Sequence, residues 1–158
     1  MRLDFQFVPL TIENFSHLFS MSDAELESYG TTRMIVDSHP GYPCRVSLED
    51  ASVGERVILT SFRHHDVSSP YQSVGPIFVR ENAKTAKPRV NEVPVMFRHR
   101  LLSVRAYDMA AMMKNAKVVD GRVLEETIRD FFANDFISYL QIHNAGPGCF
   151  NCTVQHAS

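Results

Sequence analysis

Apolar positions along this chain recur mostly with period two, in short runs broken by Gly, Pro, Asp and Ser, and take up the helical period most clearly near residues 122–133. Residues 3–10 mix aromatic and β-branched types and predict an opening strand that ends at Pro9. Beyond an irregular stretch holding Phe15 and Leu18, Ser22-Asp23-Ala24-Glu25 sets a cap hydroxyl three residues before a glutamate. Each can satisfy an orphan amide of the other, so a short helix over 23–29, stopped by Gly30, is expected. Thr31 to Val36 reads as a strand, followed by the turn-forming residues 37–43. Cys44 to Leu48 and Glu55 to Phe62 read as neighbouring antiparallel strands joined by an acidic connector with Gly54. In the first of these Cys44, Val46 and Leu48 share one face, turned to the core, and Arg45 and Ser47 share the other.

Ser68-Ser69-Pro70-Tyr71 and Gly75-Pro76 bracket a loop leading into a strand from Ile77 to Arg80, and residues 82–95, with Pro88 and Pro94, suggest a surface excursion. Leu101 to Tyr107 alternates, with Leu102, Val104 and Ala106 inward. A strand from about Met112 runs to the turn at Asp120-Gly121. The helix near 122–133 carries Leu124, Ile128, Phe131 and Phe132 on one face and a Glu125 to Arg129 pair on the other, with Asp120 as a cap. Ile137 to His143 and Phe150 to Gln155 close the chain as two strands joined through Gly146-Pro147-Gly148. The sum is an α+β fold, a mainly antiparallel sheet with a principal covering helix near residues 122–133, in a single globular domain over residues 1–158.

Composition narrows the function classes. A chain of 158 residues hides roughly two thirds of its unfolded surface without staples. Sixteen basic and 18 acidic side chains give a net charge of -2, so no global field favours nucleic acid, and Arg98, His99 and Arg100 read as a solvated face. No segment approaches the roughly 18 to 20 apolar residues of a membrane span. Asp4 interrupts the N-terminus, and three cysteines are too few for a secreted scaffold, so a cytoplasmic protein with reduced thiols is expected.

Chemistry concentrates in three places. Cys149 and Cys152 have the spacing of zinc knuckles and dithiol pairs. With Cys44, and with His39, His143 or His156 as a fourth ligand, they could hold zinc; as small buried hydrophobes they need no metal. A redox role requires one sulfur exposed and acidified by a cation or a helix N-terminus. His64 and His65 lie in series, but neighbours on an extended backbone point apart, so they do not form one catalytic unit and at least one is expected in a solvated loop. Arg45, Arg80 and Arg105 each fall on the polar face of an expected strand. Their convergence would make an anion pocket, with Tyr71 or Tyr107 as wall and hydroxyl; the plain alternative is exposure or pairing with Glu81 and Asp108.

The segments Pro43-Cys44-Arg45-Val46-Ser47-Leu48, Ser69-Pro70-Tyr71, Gly75-Pro76-Ile77-Phe78-Val79, Arg105-Ala106-Tyr107-Asp108 and Asn144 to Cys152, in that order, resemble the bacterial domain of unknown function 1203 family from about Asp23 through Val154. The resemblance implies one domain architecture and brings no reaction, cofactor or catalytic residue with it. The expected function is therefore a small-anion-binding or accessory role. The alternatives are a thiol- or metal-dependent enzyme using Cys149, Cys152, His64 or His65, and a homo-oligomeric interaction module with Phe97 or a sheet edge at the contact.

Overall fold

A computed structural model of the chain describes residues 3–157. Phe5–Val8 forms the first strand (β1), Phe5 and Phe7 pointing inward. The expected capping box is present: Ser22 Oγ accepts from the Glu25 amide at 3.2 Å and Glu25 Oε1 accepts from the Ser22 amide at 3.4 Å, opening the helix Asp23–Ser28 (α1). Gly30, at φ 64°, turns the chain into Thr31–Ile35 (β2), followed by Arg56–His65 (β3) and Ser73–Arg80 (β4). These three strands make one antiparallel sheet in the order β2-β3-β4.

Leu101–Tyr107 (β5) and Met113–Asp120 (β6) follow, then a 3-10 turn over Gly121–Val123 that leads into the helix Leu124–Phe132 (α2). Asp120 Oδ1 caps that turn by accepting from the Arg122 amide at 2.9 Å. Tyr139–Asn144 (β7) and Phe150–His156 (β8) complete a five-stranded antiparallel sheet, ordered β1-β8-β7-β5-β6. The molecule is thus α+β, with two mainly antiparallel sheets.

The larger sheet has two unlike faces, as period two requires. Leu102, Val104, Ala106, Leu140, Ile142, Cys152 and Val154 pack with Leu124, Ile128, Phe131 and Phe132 of α2, and each buried Leu, Ile, Val or Phe among them stabilises by roughly 1.5–3 kcal/mol. Glu125 and Arg129 pair at 3.0 Å on the solvent side of the helix. The opposite face carries Ser103, Arg105, Gln141 and His143 and turns toward the smaller sheet. A second core gathers Ile58, Ile77 and Val79 with Phe15, Leu18, Leu26, Cys44 and Val46, and Phe150, the first residue of β8, belongs to it. Phe150 therefore ties the two sheets together.

Two local expectations are corrected. Residues 44–48 are not a strand: the Leu48 amide returns to the Cys44 carbonyl at 3.0 Å, Leu48 adopts φ 56°, and the segment reverses between the sheets. Arg45 consequently turns inward rather than onto a polar face, because fixed acceptors await it there. The second correction is at His64 and His65, which are not in a solvated loop. β3 runs on through His65 across a bulge after Phe62, and both rings pack against the larger sheet. Residues 82–95 do run without strand or helix until Val95, but they are pinned: the Ala86 amide bonds the Val46 carbonyl at 2.9 Å, and Ala83 and Val93 are buried.

Candidate functional site

β7 alternates apolar Leu140 and Ile142, which face α2, with polar Gln141 and His143, which face the smaller sheet. β3 meets this polar row. Gln141 Nε2 donates to the His64 carbonyl at 2.8 Å, and its Oε1 accepts from His64 Nδ1 at 3.3 Å. His64 stacks on Phe150 at 5.0 Å between centroids and meets the edge of His143 at 5.1 Å. One residue on, in the bulged end of β3, His65 also meets the larger sheet, at Tyr107 and Tyr139. Its Nδ1 donates to the Tyr71 carbonyl at 2.8 Å, which leaves Nε2 to accept from the Tyr139 hydroxyl at 2.7 Å. Tyr107 stacks on Tyr139 at 5.2 Å and meets Tyr71 edge-on at 6.0 Å.

Arg105 lies on the same sheet face, half-buried, and pairs across the ladder with Gln141. Its Nε donates to Ser103 Oγ at 3.2 Å; its two terminal nitrogens meet no carboxylate among the described residues. The guanidinium charge reaches its neighbours. Burial pushes His143 down to about 3, opposed by its bond to the Gly148 carbonyl and reinforced by the charges of Arg105 and Arg45. Burial also lowers His64, with Arg105 adding to the effect. Tyr139 is pushed up to about 12 by burial, then by Tyr107 and Asp108. Both histidines of the row are thus held neutral beside the Arg105 guanidinium.

His143 donates Nδ1 to the Gly148 carbonyl at 3.0 Å, so its Nε2 is a bare lone pair, buried and without a partner among the described residues. Gly148, at φ 83°, belongs to the tight turn that joins β7 to β8, where its amide returns to the Asn144 carbonyl at 2.9 Å. Cys149 follows, half-buried. Its sulfur accepts from Arg45 Nη2 at 3.3 Å and from Asn144 Nδ2 at 3.1 Å. Arg45 spends its other donors on the Phe150 carbonyl at 2.7 Å and the Pro43 carbonyl at 2.5 Å.

The residues expected to form one pocket are therefore divided. Arg105, Tyr71 and Tyr107 share the seam between the sheets, and Arg45 lies beneath it at the cysteine turn. Arg80 is elsewhere: it closes β4 at the end away from Tyr71, roughly 25 Å along the strand, and bonds Glu55 at 2.8 Å and Glu49 at 3.4 Å. It lines a separate cleft of about 1110 Å³ with Ser47, Lys84, Lys87, Asp50 and His99.

The three thiols occupy three environments. Cys44 accepts from the Arg80 and Ser47 amides at 3.4 and 3.5 Å in the second core. Cys152 donates to the Val8 carbonyl at 3.3 Å on the helix side of the larger sheet, and burial pushes it up to about 12. Cys149 alone sits at the turn. Among the described residues no three His, Cys, Asp or Glu side chains are grouped to hold a metal ion.

The sequence pattern attaches no site role to Gln141, Tyr139 or Ser103, and names Asn144 and Asn151 only within the segment that carries the resemblance. The alternation of polar Gln141 and His143 between Leu140 and Ile142, on a strand expected to pack against a helix, was the signal for the first. The asparagines carried none, since their role depends on the turn that brings them to sulfur.

No helix of the described residues is long and apolar enough to cross a membrane. No curated protein and no solved structure matches the chain. The family match begins at residue 41 rather than near Asp23 and takes in the cysteine turn, the Ser-Pro-Tyr loop and Arg105 alike; over residues 41–156 the chain matches, and belongs to, the DUF1203 family, described as a protein of unknown function.

Proposed function

We propose that the protein binds a small anion, a carboxylate or phosphate, at the seam between its sheets. Arg105 supplies the fork of donors, and Tyr71 and Tyr107 form the wall. The observation that carries this reading is the Arg105 guanidinium itself, half-buried on a sheet face with its terminal nitrogens opposite no carboxylate among the described residues. A guanidinium in that position favours an incoming oxyanion through two parallel charge-assisted hydrogen bonds. The neighbouring neutral histidines add no second full charge, which suits a ligand of low charge over a polyphosphate. The setting that goes with this role is the cytoplasm, where three unpaired thiols persist.

The test is a titration of the purified protein against small mono- and dicarboxylates and phosphate monoesters, read by calorimetry. Losing hydrogen bonds to a charged group costs roughly 1.5–3 kcal/mol, so Arg105→Gln is expected to weaken binding about 10- to 100-fold. Arg105→Lys keeps the charge without the fork and is expected to fall between the two. Binding untouched by Arg105→Gln but lost in Lys84→Ala with Lys87→Ala would move the ligand to the separate cleft and end the seam reading.

A further inference from the structure

Residues 81–94 connect β4 to the turn that opens at Val95 with neither strand nor helix. Irregular connections of that length are uncommon inside a domain and are usually either disordered or functional. This one is tied down along its length. Thr85 Oγ1 accepts from the Ile12 amide at 3.0 Å, and the Ala86 amide donates to the Val46 carbonyl at 2.9 Å. Gln6 Nε2 donates to the Pro88 carbonyl at 2.9 Å, and the Asn91 amide donates to the Phe5 carbonyl at 2.8 Å. Ala83 and Val93 anchor the two ends in the two larger cores.

A segment pinned so often is a preformed wall, and what it bounds is the cleft of about 1110 Å³ at the Arg80 end of β4. Ligand pockets run to about 300–1,000 Å³, so this space suits an organic molecule of some size rather than a bare ion. Leu48 and Met96, both buried, give the cleft an apolar floor, and Val95, 71% exposed, carries apolar surface out to the rim. Leu48 lies there at φ 56°, a left-handed conformation that costs a leucine energy and that clusters at ligand sites. The charges are unevenly matched. Glu49 shares Arg80 with Glu55, Glu92 has Arg89 at 3.0 Å, and Asp50 has Arg100 and His99. Lys84 and Lys87, exposed on the lining, meet no carboxylate among the described residues, so the balance at the border of the cleft is positive.

We propose that this cleft binds an amphipathic organic anion. Its apolar body covers Leu48, Met96 and Val95, and its carboxylate, sulfonate or phosphate group meets Lys84 and Lys87. Burial of the body supplies the affinity. The lysines, as flexible point charges, fix which end stays at the rim without demanding one acid geometry. Arg105 lies toward the other end of β4 and takes no part, so the proposal is independent of anion binding at the seam.

The experiment titrates the native protein with anilinonaphthalene sulfonate, an aromatic body ending in one anionic group that brightens on leaving water. Saturable binding of one dye per chain is expected. Lys84→Ala with Lys87→Ala is expected to weaken it about tenfold and to flatten its dependence on salt. Val95→Asp, which sets a carboxylate on the apolar rim, is expected to weaken it about tenfold as well. All three side chains are exposed, so these variants alter the cleft without opening a core. Dodecanoate and naphthyl phosphate, added as competitors, separate an acyl from an aromatic body, and displacement by either supports the proposal. Binding that does not saturate, binding unchanged in both variants, displacement by neither competitor, or binding lost instead with Arg105→Gln overturns it.

Discussion

At the scale of the residue, the consequential groups are polar side chains enclosed without the usual partner. His143 is the clearest case, because its enclosure makes stability depend on pH with a definite sign. In the unfolded chain its imidazole takes a proton near pH 6.5, whereas in the fold it does so only near 3. Between those values the unfolded state binds more protons, so the contribution is complete above pH 6.5 and drains away as pH falls toward 3. Urea unfolding is expected to show a loss of about 2 kcal/mol between pH 6.5 and pH 5 that His143→Gln removes; an unchanged acid limb in the variant would mean the ring is already protonated in the fold. Arg45 shows how such groups escape a reading by pattern. Alternation placed it opposite Cys44, yet both are buried, because the segment turns and offers the guanidinium two carbonyls and a sulfur.

At the scale of the element, what the pattern carried was periodicity and punctuation. α2 follows from Leu124, Ile128, Phe131 and Phe132 at helical spacing, α1 from its Ser22 and Glu25 box, and β5 from the alternation of Leu102, Val104 and Ala106 with Ser103 and Arg105. What it did not carry was set by distant pairing. β3 outruns its apolar run because His65 finds Tyr139 and Tyr71, 74 and 6 residues away, and no local signal announces either. Arg105, Tyr71 and Tyr107 were legible as candidates. Arg80 was not separable from them until the direction of β4 was known. One close approach between elements is strict. A Cβ added at Gly121 would stand 1.7 Å from the Phe97 carbonyl oxygen, a backbone atom that cannot swing aside. Gly121→Ala is therefore expected to cost about 3 kcal/mol or more in urea unfolding, by forcing the start of α2 off the sheet; a cost below about 0.5 kcal/mol would show that the 95–100 segment yields freely.

At the scale of the molecule, the main core of the larger sheet and that of the smaller one behave as one unit only if something couples them, and Phe150 is that link. It opens a strand of the larger sheet while packing in the core of the smaller one and stacking on His64. Phe150→Ala is expected to destabilise by about 3–5 kcal/mol and to split the cooperativity, so that amide exchange of β3 and β5, coincident in the wild type, separates in the variant. Amides of the two sheets that already exchange independently in the wild type would sink this account. The seam that Phe150 flanks also has an optical character. The chain has five tyrosines and no tryptophan, and Tyr71, Tyr107 and Tyr139 form a single ring cluster there. Near-ultraviolet absorption and emission of the native protein thus arise largely from the very place where Arg105 waits, with no indole to mask them. The protein carries its own unlabelled reporter, and the ligand proposed for the seam would be read directly in the tyrosine spectrum.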